Sequence, residues 1–343
     1  MFLNCIRYAT VLFLLFCTAQ TCCGQKDCSP LPMTKLEGQF EQESPQLEGA
    51  ATCDPLEELK SLQNLQQSWI ESNSKVRGAA WGNQIGPGDE FGTLYLTEFA
   101  VDFENQKRKQ VHWNPKFDLV GADKTFEAKR KDDLATVLVF IVTDQMFIQG
   151  LGYRRQGIDT LKIDLPTSSG ASSMGFDVLG TVWPTMETLA KFHESMRSMI
   201  GNKKQLEFVG RKTKKLLEFR VYPTNGNEDF CRRWIFDIEK GGVCTFYEDK
   251  IVPRSATEIT TQYREAEGIF VPQKSRKTIF HRDNKTIDRI AETSFFDFSI
   301  VEEWANDEFS LATLPIDPKV PINDVRTGRN QLREIAELIK EGK

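Results

Sequence analysis

Histidine is scarce in this sequence, three residues in 343, and none of His112, His193 and His281 stands in a catalytic or metal-ligating spacing. No CxxC or HxxxH pattern accompanies the eight cysteines, so a zinc-type ligand set is missing. A G-x-S-x-G nucleophile elbow is absent too, because Met174 stands where SSGASSMG would need its second glycine. The glycine-rich GNQIGPGDEFG (82–92) carries no lysine-serine pair and precedes a strand, so it reads as a surface loop turned by Pro87 and not as a phosphate loop. HRDNK (281–285) shares three letters with a kinase catalytic loop but lacks the later metal-binding motif. Adjacent acids such as Asp132 with Asp133, or Glu302 with Glu303, would point to opposite faces of a strand and cannot share a substrate. These absences lead to the expectation of a non-catalytic protein with no metal and no cofactor.

Excess positive charge is also missing. With 44 basic and 49 acidic residues the net charge is −5, which disfavours nucleic acid as a partner. The densest basic run, RKTKK (211–215), could meet anionic headgroups. It falls where a turn is expected, however, and charged hairpin tips commonly keep sheet edges soluble.

The N-terminus is the first positive signal. Arg7 precedes the apolar stretch Ala9–Phe16, and small residues follow up to Gly24, the pattern of a secretory signal too short to span a bilayer. Cys22 and Gly24 suit cleavage after Gly24; a lipid anchor is the rival reading, poorly matched by the residues before Cys22 and Cys23. No later run approaches the ~20 apolar residues of a spanning helix, so the expectation is an exported, periplasmic or secreted protein without a transmembrane segment. Arg7 is the only charged residue among the first 24, so cleavage takes the net charge from −5 to −6.

Four cysteines then remain, Cys28, Cys53, Cys231 and Cys244, an even number for an oxidising compartment. Cys28 and Cys53 could staple the leader. If Lys240 and Gly241 form a hairpin loop, 244 lies opposite 237 and 231 opposite 250, which puts Cys231 and Cys244 roughly 20 Å apart at ~3.3 Å per residue. A disulfide needs Cα atoms within about 7 Å. Either the register differs, or these two pair elsewhere, or they stay free.

Residues 25–53, rich in Pro, Gln, Glu and Gly, read as a flexible leader. Asp54 and Pro55 then cap an amphipathic helix to residue 71 that carries Leu56, Leu59, Leu62, Leu65 and Trp69. From residue 76 the period is two. Tyr95, Thr97, Phe99, Val101 and Phe103 alternate with polar or small residues, and TVLVFIV (136–142) reads as a strand buried on both faces. A second helix, 184–200, shows a stripe of Met186, Leu189, Phe192, His193, Met196 and Ile200. Further strands follow, with Pro272 marking an edge or bulge, and a last helix is expected within 326–343. Strands joined by hairpins predict an α+β, mainly antiparallel fold, one sheet over 54–325 wrapped on one or two helices.

This order of elements, with LYLTEFAVDF, KQVHWNP, VLVFIVTDQMFIQ, WIFDIEKGGVCTFYEDK and GIFVPQKSRKTIF as the segments that carry it, resembles the bacterial periplasmic lipoprotein-carrier superfamily. LPIDPKVPINDVRTG looks like the closing segment of large exported bacterial proteins with similar sheets. The resemblance implies a strongly curved, unclosed β-barrel whose helices cover an apolar groove for a lipid or lipoprotein acyl chain. The inward residues that could line such a groove are Phe99, Phe103, Trp113, Phe219, Trp234 and Phe236, with Phe192 and Met196 on the covering helix. The alternative for the same residues is an ordinary core, in a structural or protein-interaction module of the cell envelope.

Overall fold

The computed structural model describes residues 47–72, 75–87, 93–105, 107–114, 118–120, 125–127, 136–143, 146–152, 158, 160–165, 186–202, 205–225, 230–251, 256–266, 268–281, 286–305, 307–314, 320, 322–326 and 331–333. The signal, its cleavage site, Cys28, the loop 168–175, Asp132 and Asp133 lie outside them.

In chain order the elements begin with β1 (Ala51–Cys53), α1 (Pro55–Ser72), β2 (Lys75–Ile85), β3 (Thr93–Asp102) and β4 (Lys107–Asn114). Next come β5 (Asp118–Val120), β6 (Thr125–Glu127), β7 (Thr136–Val142), β8 (Phe147–Gly152), β9 (Thr160–Asp164) and α2 (Met186–Gly201). The second half runs β10 (Leu206–Lys212), β11 (Leu216–Pro223), β12 (Phe230–Asp237), β13 (Val243–Ile251), β14 (Thr257–Ala266), β15 (Ile269–Phe280) and β16 (Ile287–Ile300). It closes with β17 (Ile322–Asp324) and β18 (Gln331–Arg333).

Sixteen strands form one curved, unclosed sheet in the order β1-β10-β11-β12-β13-β14-β15-β16-β2-β3-β4-β7-β8-β9-β17-β18, and β5 and β6 pair apart. Every neighbour pair is antiparallel except β17 with β9. The expected fold class holds: most strands pair antiparallel with a neighbour in sequence, and β16 joins β2 across the chain. Bulges interrupt the ladder at Ile235/Phe236 and at Gln262/Tyr263, the latter beside Pro272, which has no N–H to give.

Three expectations need correction. Residues 51–53 pair with Gly210–Lys212 as a strand, so order reaches upstream of residue 54. Gly82–Ile85 belong to β2 and not to a loop; Tyr95 lies so close over Gly82 that any Cβ there would overlap its ring. Gln331–Arg333 form a strand against Ile322–Asp324, so the last helix does not begin before residue 334, beyond which nothing is described.

The helices follow from local chemistry. Asp54 accepts the Leu56 N–H at 2.9 Å as N-cap, and Glu57 and Glu58 favour the positive end of the α1 dipole. Leu59 and Leu62, each 1% exposed, turn to the sheet, while Leu56 stays in solvent. On α2, Met196 and Ile200 are buried one turn apart and Phe192 is half-buried. Both helices join one core cluster with β11 and β12, including Leu217, Phe219, Val221, Trp234 and Phe236. As expected, β7 is buried on both faces: Val137, Val139 and Ile141 meet a second cluster with Leu311, Leu314 and Val320, and Phe140 packs with Phe147 on the other side.

Candidate functional site

Directly opposed residues in a ladder point to the same side of a sheet, so register rows identify a face. Phe219 faces Trp234, Trp234 faces Tyr247, Tyr247 faces Ile259 and Ile259 faces Lys277. Carried through Ala291, in step with Thr293 and Phe295, the same face reaches Phe99 on β3. Both helices pack on this face. The opposite face carries charge: Glu218, fully buried, receives Arg220 at 2.8 Å and Arg233 at the same oxygen, with Arg211 at 3.6 Å from the other. Such partners offset the cost of taking a carboxylate out of water.

Five of the eight expected lining residues come together where α2 meets the sheet. Phe192 meets Trp234 edge-on at 6.3 Å and Phe236 at 6.0 Å, Phe219 meets Phe236 at 6.2 Å, and Met196 is fully buried among them. Phe99 and Phe103 belong to a separate cluster with Val76, Ala80, Val101, Val271 and Phe295. Trp113 is paired with Leu96 and Val137, one residue out of phase with Phe99; its side chain lies outside the described residues.

Tyr247 and Phe208 also belong to this cluster. The register expected from the sequence, 231 opposite 250, already sets Tyr247 opposite Trp234, and the bulge changes only the pairs nearer the turn. Thr245 is the extra residue, its hydroxyl held by the Ile235 carbonyl at 3.2 Å, so Cys244 and Tyr247 share a face although three residues apart. Phe208 alternates with Leu206, a period-two signal that was available.

The cover is fastened at the tip of the β12–β13 hairpin. Gln66 of α1 donates to the Gly242 carbonyl at 2.7 Å and accepts from His193 Nε2 of α2 at 2.9 Å. Gly242 has φ 75°, and a Cβ there would stand 2.8 Å from Leu62 Cδ1, so the Lys-Gly-Gly turn lets the helix approach. Arg197 reaches Gln63, and Lys212 is held by Glu58 at 2.7 Å. Burial, then the nearby Arg197 charge, lowers the His193 pKa to about 4, so the ring is neutral. Its Nδ1 is buried with no hydrogen-bond partner among the described residues.

The other expected reactive groups are structural in their surroundings. His112 is buried, accepts from the Gln110 amide at 2.7 Å through Nε2 and therefore donates from Nδ1 to Thr97, also at 2.7 Å. His281 sits at the surface 3.6 Å from Asp288. Cys231 and Cys244 are free thiols, not joined to each other or to Cys53, and the Cys28 half of the expected staple lies outside the described residues; Cys231 does face Lys250, but Cys244 faces Phe236, not Asp237. Burial pushes the Cys244 thiol up to about 12, away from a reactive thiolate. Of the basic run, Arg211, Lys212 and Lys215 already have carboxylate partners, the last being Glu239 at 3.3 Å. Among the described residues no cluster of His, Cys, Asp or Glu could hold a metal, and no helix is long and apolar enough to cross a membrane.

Two solved structures resemble this chain. A DUF1329 family protein from Desulfovibrio piger matches with 10% identity and a TM-score of 0.36 over 76% of this chain and 100% of its own. A LolA superfamily protein from Nitrosomonas europaea matches with 6% identity and a TM-score of 0.38 over 75% of this chain and 99% of its own. No family model matches the sequence, and no curated protein does. The fold described above stands on the strand register of the chain itself.

Proposed function

We propose that this is an exported, non-catalytic carrier that holds a lipid or lipoprotein acyl chain against the aromatic face beneath α1 and α2, leaving its signal behind after Gly24. The observation that carries the reading is the cover: two amphipathic helices lie over an aromatic sheet face and meet the hairpin tip through one glutamine. Burying a sixteen-carbon chain is worth about 12 kcal/mol at ~0.8 kcal/mol per methylene. Leu59, Leu62, Met196 and Ile200, the helix residues buried there, contribute roughly 6–12 kcal/mol at ~1.5–3 each. A chain that takes their place offsets the cost of lifting the helices.

The near-complete burial of Phe219, Phe236 and Met196 favours a second reading, a cell-envelope interaction module with a solid core and no ligand. Organic extraction of the purified protein followed by lipid mass spectrometry, with uptake of a fluorescent fatty acid, separates the two. Stoichiometric lipid, or saturable uptake, is expected of a carrier. An extract free of lipid together with no uptake leaves the solid core as the better account.

A further inference from the structure

One register row on the helix-covered face begins in charge and ends without a side chain. Lys277 on β15 faces Ile259, which faces Tyr247, then Trp234, then Phe219, then Gly210 on β10. Five strand-to-strand steps of ~4.8 Å make this row roughly 24 Å long, against ~15 Å for the acyl chains of one bilayer leaflet. Its interior is aromatic and aliphatic, and at its far end Cys53 Sγ stands 3.0 Å from where a Gly210 Cβ would be, so β1 closes it. Its near end reaches the surface, where Lys277 is exposed while Ile259 is buried.

Lys277 differs from its basic neighbours. Lys274 and Arg276 project to the opposite face, where Glu292 engages them at 3.1 and 3.4 Å. Lys277 makes no ion pair among the described residues. Beside it on its own face, two residues along the strands, Ser275 and Thr261 place their hydroxyls 3.2 Å apart. That neighbouring row, Thr261 and Ser275, continues through Thr293, to which Tyr95 is hydrogen-bonded across Gly82. An ammonium near uncharged hydroxyls, at the surface end of an apolar row, is the chemistry that receives an anionic head whose tail runs inward.

We propose that Lys277, with Ser275 and Thr261 beside it, binds the anionic head of a single-chain acyl ligand, the tail lying along Ile259, Tyr247, Trp234 and Phe219. This rests on the carrier reading and adds to it the ligand's charge and direction. A carboxylate and a phosphate head share the required chemistry.

The test titrates the full chain with cis-parinaric acid, with its methyl ester and with lysophosphatidic acid, in wild type, Lys277→Gln and Lys277→Arg. The wild type is expected to bind the acid roughly three- to tenfold more tightly than the ester, a gap that narrows as salt rises. Lys277→Gln removes the gap and leaves the ester's affinity unchanged; Lys277→Arg keeps it. Lysophosphatidic acid tells the sources apart, since a phosphate site loses more of its affinity than the carboxylate's on Lys277→Gln and a carboxylate site loses less. Equal wild-type binding of acid and ester, or a variant that weakens both alike, overturns the head site and leaves the carrier standing. Binding of none of the three probes overturns both.

Discussion

Gly242 and His193 bear more of the helical cover than their size suggests. Gly242 has a left-handed backbone and sits against Leu62, so Gly242→Ala meets two penalties at once, the Cβ strain of φ 75° and an overlap with a buried methyl. The expected loss is about 1–3 kcal/mol in urea unfolding. His193 acts through protons. Its folded pKa, lowered to about 4, lies below the 6.5 of an unfolded histidine, so between those values only the unfolded chain binds the proton. Stability therefore falls as pH drops from about 7 to about 4, by up to about 3 kcal/mol, and levels off below. His193→Asn is expected to lower stability at neutral pH and to flatten that part of the profile. A profile unchanged by the substitution would mean that other groups titrate there.

Among the elements, α1 and α2 stand apart from the sheet they cover. Strands β11 and β12 are paired on both sides, while the helices meet the sheet through one apolar stripe each and a few polar contacts. Local opening is easiest where few buried contacts must break. Hydrogen exchange should thus release the amides of 58–70 and 190–200 at least tenfold faster than those of 217–221 and 233–236, and a saturating fatty acid should change protection in the helices first. Uniform exchange across helices and sheet would place the cover inside the global folding unit. At this scale much was legible from residues alone. Asp54-Pro55 marked the start of α1, the stripe Phe192, Met196 and Ile200 marked the buried side of α2, and alternation marked β3 and β7. The bulge at Thr245 left no mark, because any residue can occupy it, and so Cys244 was set opposite Asp237 when it faces Phe236. Gly82 looked like loop chemistry because glycine usually is; here it makes room for Tyr95 within a strand.

For the whole molecule, the sheet keeps its edges short. Strands β1 and β18, three residues each, end the order on either side, which limits the unpaired backbone offered to other chains. The join that makes one surface from two series of hairpins, β16 with β2, and the parallel β17 with β9 that extends its edge left no local signal, since pairing across more than 150 residues depends on which faces must be buried together. The pairing of β16 with β2 gives the inner face its continuity from Phe219 to Phe99. Of the candidate site, the sequence pointed to eight lining residues as one set, and the separation of Phe99 and Phe103 from the five gathered at α2 was not legible, because period two assigns a face and not a distance. The direct test of the helix-covered site is quenching of tryptophan fluorescence by a brominated fatty acid, in wild type and in Trp234→Phe. Saturable quenching that is mostly lost in the variant is the expected result, and quenching that fails to saturate, or that survives without Trp234, would contradict an acyl site beneath the helices.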